Sequence, residues 1–98
     1  MNINIKEEVK EIKQSIVSNR RDFHMHPELG FKEIRTSKII AQKLSSYGLD
    51  VQTGVGKTGV VATLTGNTDG KTIALRADMD ALPIQETGDL PFKSVHDG

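Results

Sequence analysis

The chain has 98 residues, which is enough for one small domain with a modest core. Its 13 Lys and Arg residues balance 13 Asp and Glu residues and the pI is about 6.8, so neither nucleic acid nor a membrane surface is an expected partner. Cysteine is absent, which excludes disulfides and thiolate metal ligands. No apolar run approaches the length of a membrane span or signal-peptide core, and we expect a cytoplasmic location.

The first predicted element is an amphipathic helix that ends before Pro27. Asn4 followed by Glu7 resembles a capping box in which Asn replaces Ser or Thr. Pro27 places the end of the helix at or before His26, because the residue before proline avoids the helical conformation. The apolar positions share one stripe with helical spacing: Ile5, Val9, Ile12, Ile16 and Phe23.

A second helix is predicted over residues 33–47. Gly48 follows it and supplies the left-handed conformation that commonly ends a helix. Helical spacing gives the expected buried side of this element: Thr36, Ile40, Leu44 and Tyr47.

After Gly48 the hydrophobic pattern alternates, which predicts strands. The first two strands, around Val51 and around Ala62, form a hairpin across a glycine-rich turn. A third strand, containing Ile73 and Leu75, follows a second turn at residues 66–70. The predicted fold class is therefore α/β, with two helices, then a β-hairpin and a third strand.

The glycine-rich turn of the hairpin resembles three nucleotide-binding loops. A P-loop needs a glycine five positions before Gly56, where this chain has Val51. Gly54, Gly56 and Gly59 fit the dinucleotide-binding fingerprint, but a β-branched run follows instead of the required helix. The same glycines fit a kinase loop, yet the next strand offers Arg76 where that fold has lysine. A flexible hairpin turn is the favoured interpretation, with the kinase-like loop as an alternative.

Two carboxylates, Asp78 and Asp80, end the third predicted strand. Residues two apart on a strand face the same side, so the pair would repel unless a cation or hydrogen-bond donors lie between them. Magnesium-dependent phosphoryl transfer uses such a pair and is one alternative, although Arg76 before it and Leu82-Pro83 after it argue against this. A solvated turn is the other alternative.

The histidines do not suggest a metal site. His24 and His26 are two positions apart on the first helix, so they cannot form the i, i+4 pair of a zincin. We expect His24 to serve in packing or at the surface, and His26 to lie at the helix end.

The motifs together carry a resemblance to a known family. The residues in question are Arg20-Arg21, His26-Pro27-Glu28-Leu29-Gly30-Phe31, Glu33, Thr36 and Arg76-Ala77-Asp78-Met79-Asp80-Ala81-Leu82-Pro83. In this order and spacing they resemble the N-terminal part of the metal-dependent amidohydrolases and metallopeptidases that cleave N-acyl amino acids. Hippurate hydrolase, bacterial aminoacylases and plant auxin-conjugate hydrolases belong to this group. The similarity runs from Arg20 to about Gly98.

The resemblance implies that residues 1–98 are an incomplete catalytic domain of a zinc-peptidase-like α/β fold. Family members are several times longer, with an inserted dimerisation domain and a C-terminal part that this chain lacks. The residues up to Gly98 resemble the lead-in to a His-Ala-Cys-Gly-His-Asp sequence that holds metal ligands in the family. The implied activity is hydrolysis of the amide bond of an N-acyl amino acid by a metal-activated water.

The resemblance also sets expectations for site residues, cofactors and partners. None of the family's metal ligands falls in this chain, and Asp80 and Asp78 are the candidate catalytic residues. Asp80 aligns with a carboxylate that orients a histidine ligand, and Asp78 stands where relatives have a ligand histidine. Zinc, manganese or cobalt is the expected cofactor of the full-length protein, with no specific binding to this fragment. The expected partner is an N-acyl amino acid or short peptide, and the full-length form is expected to be a homo-oligomer. A non-catalytic remnant or interaction module is the alternative for the chain alone.

Overall fold

The computed structural model describes residues 3–98, which form two helices and one antiparallel hairpin. These residues divide into two units: the described part of Met1–Pro27 with Ile84–Gly98, and Glu28–Pro83. The first unit contains α1 at Ile5–Met25. The second contains α2 at Ile34–Ser46, β1 at Asp50–Val55 and β2 at Gly59–Thr63.

Both ends of α1 match the sequence prediction. The Asn4 side chain accepts a hydrogen bond from the backbone N–H of Glu7 at 3.3 Å, which confirms the predicted N-cap. The last helical residue is Met25, and the backbone N–H of His26 donates to the carbonyl of Asp22. The helix therefore ends one residue before the position that Pro27 restricts.

Helix α2 also forms where it is predicted, but fewer of its residues are buried than the sequence predicts. Gly48 has φ of 83°, the left-handed conformation expected after the helix. Thr36 is buried, and Ile40 and Leu44 are half-buried. The prediction that Tyr47 is buried is wrong, because this residue caps the end of the helix and is 67% exposed.

The two strands pair antiparallel, with Val51 opposite Ala62, as the alternating pattern predicts. Their turn has positive φ at Gly56 (58°) and Lys57 (84°), as in the type I′ turns that favour glycine. A strand and not a helix follows this turn, which confirms the hairpin interpretation and removes the helix that a dinucleotide-binding loop requires.

The predicted third strand does not form. Residues 71–80 have no regular secondary structure, and Ile73 and Leu75 are 87% and 96% exposed. A strand needs a hydrogen-bonded neighbour, whereas β1 and β2 of the described sheet pair only with each other. The alternating pattern of residues 71–80 is typical of a strand, but neither β1 nor β2 forms strand hydrogen bonds with this segment.

The described residues lack a hydrophobic core. No hydrophobic side chain among residues 3–98 is fully buried, and the buried residues are polar: Glu33, Thr36 and Thr58. Large apolar side chains are exposed in both units, so the hydrophobic contribution to folding is small. No helix within residues 3–98 is both long and apolar enough to cross a membrane.

We expect the purified chain to unfold in a broad, weakly cooperative transition. The reason is that its apolar side chains remain in water and its strands carry unpaired edges. Differential scanning calorimetry at several protein concentrations measures this directly. A monomer with a sharp transition above about 65 °C, the upper range for ordinary domains, would contradict the expectation.

Candidate functional site

The second unit joins the two sequence segments that carry the strongest motifs. The backbone N–H of Ala81 donates to the carbonyl oxygen of Glu28 at 2.8 Å, and Leu29 forms a parallel bridge with Ala81. This pairing places Asp80 beside Gly30. A Cβ atom at Gly30 would lie 3.7 Å from Asp80 Oδ2 and 3.8 Å from Glu33 Oε1. The carboxylates of Asp80 and Glu33 therefore both approach the open backbone of Gly30.

Glu28 caps the start of α2 from a distance. Helix α2 has no capping hydrogen bond from the side chain of its own N-cap residue, Glu33. Instead, the Glu28 carboxylate accepts from the backbone N–H groups of Arg35 (3.0 Å) and Thr36 (2.6 Å). These are among the N–H groups that a helix leaves unpaired at its first turn. The Glu28 carboxylate thus serves both as a cap and as a charge complementary to the helix dipole.

Opposing effects act on the ionisation of Glu28. Partial burial raises its pKa, but the hydrogen bonds from the first turn of α2 outweigh burial, so the pKa is lowered from its ordinary value of 4.5. Glu28 therefore remains ionised at neutral pH, as its capping role requires.

A buried pair fixes the hairpin turn to the start of α2. The hydroxyl of Thr58 donates to Oε2 of Glu33, and these residues are only 9% and 4% exposed. Burial of a carboxylate is costly unless its oxygens find donors, and Thr58 supplies one. Sequence analysis missed this pair because its two residues are far apart in the chain. The available signal was a threonine inside a glycine-rich turn.

Asp78 has a different environment from Asp80. Its Oδ1 lies 2.8 Å from Nη2 of Arg76, and both side chains are mostly exposed. An exposed ion pair of this kind contributes about 0–1 kcal/mol. Arg76 thus provides the positive charge that the Asp78 side chain needs, and this part of the motif has a structural explanation.

In the first unit, residues 84–98 pack against the end of α1. His24 Nε2 lies 3.1 Å from both carboxylate oxygens of Glu86, and the backbone N–H of Ser94 donates to Glu86 Oε1 at 2.8 Å. The Ser94 hydrogen bond and then the His24 contact lower the pKa of Glu86. The Phe92 ring packs edge-on against His24 and beneath the guanidinium of Arg21.

These contacts show the surroundings of the two histidines near the end of α1. His24 serves in packing, as predicted, and the Nδ1 atom of His26 lies 3.0 Å from the Asp22 carbonyl at the helix end. Glu86 was missed in the sequence, because the segment around it shows no periodic pattern.

The chain is similar to known proteins over nearly its whole length. It is 53% identical over 91 residues to thermostable carboxypeptidase 2 of Saccharolobus solfataricus, covering 92% of this chain and 23% of that protein. It is 46% identical over 92 residues to hippurate hydrolase of Campylobacter jejuni, covering 94% of this chain and 24% of that enzyme. No protein-family model matches the chain.

The chain is also similar to a protein of known structure. The crystal structure of the YxeP protein of Bacillus subtilis, a dinuclear metal binding peptidase from the M20 family, superposes with a TM-score of 0.83 and 46% identity. The match covers 91% of this chain and 25% of that one.

The chain is therefore homologous to one segment of the M20-type carboxypeptidases and N-acyl-amino-acid amidohydrolases. It spans about a quarter of the length of these relatives. The resemblance that the motifs indicated is confirmed. The relatives are hydrolases, which favours this interpretation over the kinase-like and phosphotransfer alternatives.

The described residues do not assemble a metal centre of their own. Within residues 3–98, no group of three or more His, Asp or Glu side chains is arranged to hold a metal ion. A catalytic zinc site uses about three protein ligands.

Acidification should release the cap on α2. Because the folded pKa of Glu28 is depressed, its stabilisation is complete above the ordinary value of 4.5 and declines as pH falls through the folded pKa. We expect the amide protons of Arg35 and Thr36 to lose protection over that range, measured by NMR hydrogen exchange corrected for intrinsic rates. Glu28→Gln should reduce the stability of α2 by about 1 kcal/mol and remove this pH dependence.

Glu86→Gln is the matched control, because this carboxylate also has a lowered pKa but belongs to the first unit, where it contacts His24 and Ser94. It should leave the protection of Arg35 and Thr36 unchanged. An identical pH profile in wild type and Glu28→Gln would show that the carboxylate does not cap the helix.

Proposed function

We propose that this chain forms part of the catalytic domain of a divalent-metal-dependent amidohydrolase that cleaves the amide bond of N-acyl amino acids. The observation that carries the proposal is the Ala81–Glu28 hydrogen bond, which joins the two motif segments next to Asp80. The identity of 43–53% to carboxypeptidases and an N-acyl-L-amino acid amidohydrolase supports it. The substrate is an N-acyl amino acid or short peptide, and the complete protein is a cytoplasmic homo-oligomer.

In this proposal the metal ligands come from residues other than those described. Zinc, manganese or cobalt is the metal, and Asp80 is a positioning residue that holds an imidazole ligand through a hydrogen bond. Such a carboxylate fixes the orientation of the ring and raises its basicity. Asp78 has a smaller role, because its charge is already paired with Arg76.

The alternative function for the 98-residue chain by itself is a non-catalytic interaction module. Two observations favour it for the isolated chain: the exposed apolar side chains and the lack of a ligand cluster within residues 3–98. Both functions are compatible if the chain acts only as part of a longer polypeptide.

The isolated chain and a chimera separate these two functions. We expect the purified chain to show no chelator-sensitive hydrolysis of N-acetyl or N-benzoyl amino acids, since a catalytic site needs about three protein ligands. A chimera in which the chain replaces the matching segment of the Saccharolobus carboxypeptidase should fold, bind metal and hydrolyse these substrates. Chelator-sensitive activity of the isolated chain, or a folded chimera that binds metal without activity, would contradict the proposal.

The same chimera tests the carboxylates. Asp80→Asn should reduce metal affinity or activity by about 10- to 100-fold, the usual effect of removing the partner of a ligating histidine. Asp78→Asn should reduce them less, and Asp69→Asn, in an exposed turn, serves as the control. Circular dichroism verifies folding of each variant. Full activity and metal content in Asp80→Asn would make Asp80 a purely structural residue.

A further inference from the structure

Glu33 is the one ionisable residue among residues 3–98 that is buried, with 4% of its surface exposed. The residues of this chain produce that burial by themselves, so further residues of a longer protein could only add to it. Capping does not explain the position of the Glu33 side chain, because it makes no capping hydrogen bond and the Glu28 carboxylate caps α2 instead. Burial of a carboxylate without such a role is costly, and a function at this position would explain its presence.

One oxygen of the Glu33 carboxylate is held by the hairpin turn. Oε2 accepts a hydrogen bond from the Thr58 hydroxyl, and Thr58 is itself buried. The next residue of the turn, Lys57, places its Nζ atom 5.0 Å from the centre of the Phe31 ring. Lys57 and Phe31 both have positive φ, at 84° and 65°, which non-glycine residues adopt at a cost and keep when the surroundings hold them. The turn and the segment before α2 therefore contact each other twice.

The other oxygen of Glu33 lies on the side of Asp80. Glu33 Oε1 and Asp80 Oδ2 are both within 4 Å of the point where a Cβ atom of Gly30 would lie. The backbone here is fixed by the bridge between Leu29 and Ala81. The two carboxylates are thus neighbours, one buried and held by a hydroxyl, the other exposed.

A fixed negative charge beside Asp80 changes what Asp80 binds. In the proposed function the Asp80 carboxylate accepts a hydrogen bond from an imidazole N–H, and such a bond strengthens as the negative potential at the acceptor rises. Glu33 adds to that potential, and the hydrogen bond from Thr58 prevents its carboxylate from turning away from Asp80. Glu33 touches neither substrate nor imidazole in this arrangement, so its effect passes through Asp80.

We propose that Glu33, held by Thr58, is a positioning residue that acts through Asp80. This inference rests on the proposed amidohydrolase function. It assigns a role to a buried carboxylate and to the hairpin turn, which the metal chemistry itself does not require.

A double-mutant cycle in the chimera with the Saccharolobus carboxypeptidase tests whether Glu33 acts through Asp80. Glu33→Gln keeps an oxygen that can accept from Thr58 but removes the charge, and it should lower kcat/KM by about 3- to 10-fold. In the Asp80→Asn background the same substitution should have almost no further effect, because the charge it acts on is gone. A purely structural role would give the same loss in both backgrounds, and that result would overturn the proposal.

Zinc affinity, measured on the same four proteins by competition with a chelating indicator, should follow the same pattern. This readout does not depend on turnover. If the chimera binds zinc but hydrolyses no N-acyl amino acid, the proposed function fails while the zinc cycle still decides the role of Glu33. A folded chimera that binds no zinc would overturn both.

The part played by Thr58 is tested in the 98-residue chain itself, without metal or substrate. Thr58→Val removes the hydroxyl and should lower the hydrogen-exchange protection of the Ala81 amide, next to Asp80, by about 10-fold. Thr58→Ser keeps the hydroxyl and should retain the protection. Thr63→Val, at an exposed threonine of the same hairpin, is the matched control and should also retain it. Equal protection of Ala81 in the Thr58→Val and Thr58→Ser chains would show that the hydroxyl does not hold this segment, and would overturn the proposal.

Discussion

Glu28 is the residue on which the local structure of the second unit depends. Its carbonyl oxygen accepts the N–H of Ala81, and its carboxylate accepts the N–H groups of Arg35 and Thr36. Glu28 thus binds the segment after the hairpin through its backbone and caps the start of α2 through its side chain. The lowered pKa of Glu28 follows from the same bonds, because donors at the helix start stabilise the ionised carboxylate. The position of Asp80 beside Gly30 depends on this arrangement.

Polar contacts connect the elements of the described residues, where apolar side chains are at most half-buried. Glu33 and Thr58 are buried while no hydrophobic side chain among residues 3–98 is. In most domains hydrophobic burial supplies the driving force and hydrogen bonds add specificity. Here hydrogen bonds connect the elements. The exposed apolar side chains belong to a chain that spans about a quarter of the length of its relatives.

In the proposed function, Asp80 and its neighbours form one side of a catalytic site. Asp80 and Glu33 approach the same glycine, where a Cβ atom would make ordinary van der Waals contact with both carboxylates. The hydrogen bond between Thr58 and Glu33 fixes the hairpin turn relative to this glycine. The exposed ion pair between Arg76 and Asp78 distinguishes the two carboxylates of the motif. Both Asp residues of the motif are exposed, but Asp80 lies beside Gly30, whereas Asp78 is paired with Arg76.

The sequence by itself determined the local elements and the family. Asn4, Pro27 and Gly48 set helix ends through short-range effects, and the alternation around Val51 set the hairpin, because these signals act within a few residues. The third strand could not be decided in this way, since a strand at Ile73 requires a neighbour that no local pattern supplies. Tertiary structure alone placed Glu28 on the first turn of α2, Thr58 against Glu33, and Glu86 against His24. Glu28 reaches residues seven and eight positions away, and the other two contacts join residues 25 and 62 positions apart. All three depend on how the chain folds back and not on the composition of either segment.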